Sequence, residues 1–197
     1  MQTLNKLLLL IIALGLLIGI FSRPEHQHDN KTPWNIQRLP DGHIHVFGIT
    51  PGKTTVQEAN QILGHFAATR LHNTEPAQLI ATHENMMLGE EMAQLDLQYQ
   101  IDETELAYMQ QSSTVFSPCQ PVQLTTEDEI ALLNTPIAKI IYTPVTDYST
   151  NKVEHHFDEA DEIRQINETQ QIMFYREIGL TVYINSDKPD VFVYESR

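Results

Sequence analysis

The chain has 197 residues, 41% of them hydrophobic and 19% charged, which suffices for one ordinary globular domain or two small ones. A formal net charge of −14 repels phosphate backbones and anionic lipid heads, and so argues against nucleic acid as a partner. Cys119 is the only cysteine, so no intrachain disulfide can form and stability has to come from packing.

The first element is an uninterrupted apolar run from Leu7 to Phe21, preceded by Lys6. A secretory signal peptide needs a cationic start, an apolar stretch and small residues at its cleavage site. The exit Ile18-Gly19-Ile20-Phe21-Ser22-Arg23-Pro24 has no such site, and no lipoprotein cysteine follows the run. An uncleaved anchor is favoured, with Lys6 holding the short tail in the cytoplasm. At about 1.5 Å per residue the run reaches roughly 22 Å, against about 30 Å of hydrocarbon. Asn5, Ser22 and local thinning of the bilayer absorb that deficit. The expected address is the inner membrane, with residues 1–21 as anchor, a cytoplasmic N-terminus and a periplasmic ectodomain. The alternative is a secreted or periplasmic chain after cleavage. Lys6 is the only charge before Arg23, so the exported part is more acidic than the whole.

Residues 22–41 hold Pro24, Pro33 and Pro40 among His, Asn, Gln and Lys, and read as a tether. A strand over His43 to Phe47 follows. Then comes FGITPGKTT, residues 47–55, which ends in the Gly-Lys-Thr of a phosphate-binding loop. That loop needs four residues between its first glycine and the Gly-Lys pair. Gly48 leaves three, the strand before it alternates in polarity, and no acidic residue closes an apolar strand for magnesium. No nucleotide is therefore expected. The stretch instead encodes a helix start, with Pro51-Gly52 as a turn, Thr55 as cap and Glu58 to close a capping box. Val56, Ala59, Ile62 and Leu63 follow at helical spacing, and Gly64 ends the helix.

Gln78 to Glu84 is a weak strand. Leu95 to Ile101 alternates, with Leu95, Leu97, Tyr99 and Ile101 on the buried face. Asp102-Glu103 reads as a turn, with Leu106 and Tyr108 on a returning strand. A break follows at SSTVFSPCQP. Thr126 to Glu129 opens a short helix carrying Ile130, Leu132 and Leu133. Another helix starts at Ser149 or Thr150, with Val153 and Phe157 facing inward. Strands over Ile172–Arg176, Leu180–Asn185 and Val191–Tyr194 come last, with turns at Gly179 and Asn185-Ser186-Asp187. Residues 42–116 and 117–197 thus read as two similar halves, each with helix followed by antiparallel meander. Setting TPGKTTVQEANQILGHF beside TPVTDYSTNKVEHHF pairs Phe66 with Phe157.

GITPGKTTVQEANQILG at 48–64 is similar to the helix opening G-x-T-x-x-x-V-x-x-x-L-G of the BamE/SmpA-type envelope module. In the second half, VEHHFDEADEIRQ, FYREIGLTVYI and VFVY resemble that module's helix, aromatic-Tyr strand, Gly-Leu turn and last strand. Asp158-Glu159-Ala160 stands where the module has Gly-x-Pro. The same unit occurs in tandem in beta-lactamase inhibitory protein. The resemblance implies a non-catalytic module that binds another protein of the cell envelope.

Tyr175, Tyr183 and Tyr194 are the candidate anchors for such a partner. Tyr183 stands opposite the Leu180, Val182, Ile184 face and is the one expected to be exposed. The competing reading is a periplasmic metal-binding protein. His43-Ile44-His45 would place two rings on one side of a strand, with two further ligands converging there. Met86, Met87 and Met92 read as packing, and Asp158 to Glu162 as a solvated helix end. No catalytic residue and no cofactor is assigned. The expected fold is α+β, with short helices packed on antiparallel meanders behind the N-terminal apolar segment.

Overall fold

The computed structural model describes residues 31–112 and 121–196. The expected anchor, residues 22–30 of the expected tether, and Cys119 lie outside the described residues. Among those described, no helix is long and apolar enough to cross a membrane.

The chain forms an α+β fold whose helices flank one long antiparallel sheet. A two-stranded ribbon comes first, β1 (Gln37–Arg38) with β2 (Ile44–His45). Then follow α1 (Val56–Leu63), β3 (Ala68–His72), β4 (Gln78–Leu88), β5 (Glu91–Tyr99), α2 (Glu103–Ser112), β6 (Val122–Gln123), α3 (Thr126–Leu132) and β7 (Ile137–Pro144). The last run is α4 (Thr150–Phe157), β8 (Glu162–Gln165), β9 (Gln170–Tyr175), β10 (Leu180–Asn185) and β11 (Val191–Glu195). The nine-stranded sheet has the order β6-β3-β4-β5-β7-β11-β10-β9-β8. Every pair in it is antiparallel.

Two runs share one order of elements. In the first, α1 leads into β3, β4, β5 and β7, consecutive neighbours in the sheet. In the second, α4 leads into β8, β9, β10 and β11, again consecutive neighbours. The runs meet where their last strands pair, Tyr142 opposite Phe192 and Ile141 opposite Val193. The excursion α2-β6-α3 sits between the third and fourth strands of the first run.

The helix signals hold at both starts. Thr55 caps α1 with the full capping box, and Ser149 caps α4, its hydroxyl accepting from the Lys152 amide at 3.2 Å. Counting from the caps aligns Ala59 with Val153, Leu63 with Phe157, and Gly64 with Asp158. Leu63, not Phe66, is therefore the partner of Phe157. Phe66 lies past the end of α1 and is exposed.

Three other expectations need correction. The strand drawn over His43 to Phe47 stops at His45, because the chain reverses at Phe47-Gly48. Both residues there have positive φ, 56° and 83°, and Val46 and Ile49 exchange backbone hydrogen bonds across the turn. The returning strand at Leu106 and Tyr108 is α2. Asp102 accepts from the amides of Glu105 at 2.9 Å and Leu106 at 3.1 Å, and two acidic residues favour the first turn. Within the expected tether, residues 31–36 pack against the fold. Pro33 is buried and its carbonyl accepts from the Tyr194 hydroxyl at 2.9 Å, while Trp34 stacks on His156 at 3.9 Å. β7 pairs with both β5 and β11, and the boundary expected at 116/117 lies outside the described residues.

The core lies between the sheet and the side that carries α1 and α4. Leu71, Leu79, Ala81, Leu95, Leu97, Ile140, Tyr142, Phe192, Tyr194, Val182, Leu180, Met173 and Tyr175 point into it. At its centre are linked aromatic contacts: Phe47 stacks on Tyr142 at 5.5 Å and meets Tyr194 edge-on at 5.6 Å. Phe192 meets Tyr142 at 5.6 Å and Tyr148 at 5.1 Å. Each such pair adds about 0.5–1.5 kcal/mol beyond the area it buries. That packing offsets the cost of holding Phe47, a non-glycine residue, at positive φ.

Candidate functional site

Strand pairing fixes what the opposite face of the sheet displays. Three rows of directly opposed residues cross it. One runs Asp96, Ile141, Val193, Thr181, Phe174, Glu162 from β5 to β8. A second includes Val191, Tyr183, Ile172 and Arg164. The third is Arg70, Ile80, Gln98, Lys139, Glu195. Ile141, Phe174, Ile172, Val191 and Val193 are half-buried, and Tyr183 is 42% exposed. They form one apolar block on β7, β11, β10 and β9.

Charged residues frame this block in pairs. Lys139 meets Glu195 at 2.7 Å on one side. On the other, Arg164 reaches Glu162 at 2.8 Å and lies 5.1 Å from the Phe174 ring centroid. Arg176 also pairs with Glu162, and the two arginines hold that carboxyl below its ordinary range. Further along the sheet Arg70 stands 3.9 Å from Glu84. Apolar centre and polar rim are the anatomy of a protein interface.

The predicted tyrosines separate cleanly. Tyr183 is on this face, as expected. Tyr175 and Tyr194 are not, being 4% and 0% exposed. They fall on the core side because β9 and β11 place them opposite Leu180, which is also buried. Burial pushes the Tyr175 hydroxyl up to about 12, and it donates to the Asp158 carbonyl at 3.2 Å. Neither side chain is on the outward face of the sheet.

Sequence reasoning missed Ile141, Ile172, Phe174, Val191 and Val193. The signal was present in KIIY, IMFY and VFVY, which are apolar at successive positions, whereas β5 alternates as LDLQY. An antiparallel strand that packs on one face only should alternate; one that is apolar on both has something to cover on the second. Met87 and Met92, expected as packing, share the opposite face and are 58% and 45% exposed. Met86 is buried, as packing requires.

Two polar constellations lie elsewhere. Glu91 accepts from Lys152 at 3.1 Å, from Tyr142 at 3.4 Å and from Tyr148, and the Lys152 ammonium sits 3.7 Å from the Tyr148 ring centroid. Burial pushes Glu91 up, but the donated hydrogen bonds outweigh it and hold the carboxyl below its ordinary range. Glutamate, lysine and tyrosine are groups that move protons, yet here each satisfies the others. The network clamps β5 to α4. His83 is different: it is 2% exposed and its ring nitrogens have no hydrogen-bond partner. Burial holds it neutral, down to about 4.

The histidine pair occupies the ribbon. His45 Nδ1 is 2.9 Å from the Thr50 hydroxyl, and His43 Nδ1 is 3.5 Å from the Asp41 carboxylate. Among the described residues, no three His, Cys, Asp or Glu side chains are grouped to hold a metal ion. Around the Gly-Lys-Thr stretch the amides are spent internally. Gly52 donates to Ile137 at 2.7 Å, Val56 to Thr135 at 3.1 Å and Gln57 to Leu133 at 2.9 Å, while Lys53 pairs with Asp41. An open groove of about 620 Å³ lies beside the sheet end, lined by residues that include Glu84, Gln94, Thr143, Asp147 and Lys188. No family model, curated protein or solved structure matches the chain.

Proposed function

We propose that this is a non-enzymatic protein-binding module, held at the extracytoplasmic side of a membrane by residues 7–21 and belonging to the cell envelope. The observation that carries the binding part is the apolar block around Tyr183, on strands that are apolar on both faces. Burying such a block against a partner gains roughly 25 cal/mol per Å² of apolar surface, before the costs of association. The aromatic residues Tyr183 and Phe174 are its anchors, and the Lys139–Glu195 and Arg164–Glu162 pairs its rim.

The two runs of helix and four strands are read as two related halves in tandem. Two features support their likeness to the BamE/SmpA-type module. Each half starts from a capped helix with a hydrophobic residue eight positions after the cap. Asp158 has φ 63° and ψ −166°, a conformation essentially reserved for glycine, at the position where that module carries glycine.

The test is site-specific photocrosslinking of the full chain in its own membranes. A photoreactive residue at position 183 should give a discrete protein adduct, and one at Lys53, in the turn before α1, should give none. Absence of any adduct at 183 contradicts the reading.

A further inference from the structure

We infer that the protein bound by this face is a second copy of the same chain, the two sheets stacking face to face about a two-fold axis. This rests on reading the face as a protein-binding surface, and it adds the partner's identity. The argument is one of charge. The chain carries −14, so two copies repel wherever they meet with a proportionate share of that charge. The strand positions of this face hold Arg70, Lys139 and Arg164 against Glu84, Asp96, Glu162 and Glu195, a balance of about one negative charge. Each of the three cations is already paired within its own copy. A foreign partner selected by an acidic protein would be basic and would seek the acid excess elsewhere. A neutral, internally paired face with an apolar centre has instead what a self-complementary contact requires.

Size sets the strength. The three rows place 13 positions on the six strands from β5 to β8 in sheet order, each about 4.8 Å by about 6.7 Å, or about 420 Å² per copy. Two copies together would bury about 850 Å², in the range of weak, transient contacts. The dimer is therefore weak and reversible. Its salt dependence is opposite to that of an acidic protein binding a basic partner. Raising salt screens the repulsion between two acidic chains and leaves the apolar contact in place, so association strengthens.

The experiment uses the full-length chain with Cys119→Ser and one new cysteine at a time, Ile141→Cys or Thr181→Cys, treated with a bis-maleimide in native membranes. The expected product runs at twice the chain mass, in a yield that at least doubles as salt rises from about 0.05 M to about 0.5 M. Glu58→Cys, on α1, should stay monomeric. Adding Phe174→Asp to the Thr181→Cys chain should reduce the product at least tenfold while leaving the melting temperature within a few degrees. A Thr181→Cys adduct with a different protein, without self-adduct, overturns the second-copy inference but leaves the binding reading standing. No adduct at any face position overturns both.

Discussion

The two runs of helix and four strands differ least where they are buried and most where they face outward. On the core side, Leu63 and Phe157 occupy equivalent places after Thr55 and Ser149, and both join the same core. On the opposite face the first run shows Arg70, Thr82, Glu84, Asp96 and Gln98 with Ile80, Met87 and Met92 scattered among them, whereas the second gathers Ile172, Phe174, Tyr183, Val191 and Val193 inside an edge of Glu162 and Arg164. Only the last strand of the first run, with Ile141, continues the apolar block. Core packing constrains both runs alike, and the outward face carries no such constraint. That asymmetry is what the proposal of binding by the second run rests on.

The largest expected effects test the core equivalence. Phe157→Ala should cost about 3–5 kcal/mol and Leu63→Ala about 2–5 kcal/mol in urea unfolding, with a single transition in each case. A near-neutral result for either would break the pairing of α1 with α4. Next is an asymmetry in pH. His83 is depressed in the folded state to about 4, so its contribution is fully present above pH 6.5 and is lost as pH falls towards 4. The first run has this liability; at the core of the second, Asp190 accepts from the amides of Tyr148 at 2.6 Å and Asn185 at 2.8 Å. Between pH 6.5 and 4, the wild type should lose about 3 kcal/mol more stability than His83→Leu. Parallel pH profiles for the two proteins would contradict the burial of that ring.

Smaller effects sharpen the comparison at the helix ends. Asp158→Gly should stabilise by about 1 kcal/mol, by relieving a backbone that only glycine adopts at ease. Gly64→Ala should destabilise by a similar amount, although nothing lies within 4 Å of the added carbon. Thr55→Ala and Ser149→Ala should each cost about 1 kcal/mol, by removing the hydroxyls that accept from the Glu58 amide at 3.3 Å and the Lys152 amide at 3.2 Å. Least of all, Tyr183→Ala should change stability by no more than about 0.5 kcal/mol while abolishing partner capture.

What could be read from the sequence follows local signals. Caps at Thr55 and Ser149, the alternation of Leu95, Leu97 and Tyr99, and β10 over Leu180–Asn185 are written in a few neighbouring residues. Elements that depend on distant partners were not legible. β3 and β8 are short and polar because they pair near the sheet edges, and α2 resembled a strand because Leu106 and Tyr108 stand two apart. The site was half legible for the same reason. Alternation placed Tyr183 outward, but the burial of Tyr175 and Tyr194 depends on register across β9, β10 and β11, which no single strand encodes. The outward residues of β7, β9 and β11 were hidden by their resemblance to core.

The most direct test of the central claim, that binding belongs to the outward face of the second run, is photocrosslinking at paired positions in native membranes. Photoreactive residues at Phe174 and Tyr183 would be compared with others at Arg70 and Glu84 on the same face. The account predicts protein adducts at 174 and 183 and none at 70 and 84. Adducts at 70 and 84 with none at 174 and 183 would contradict it.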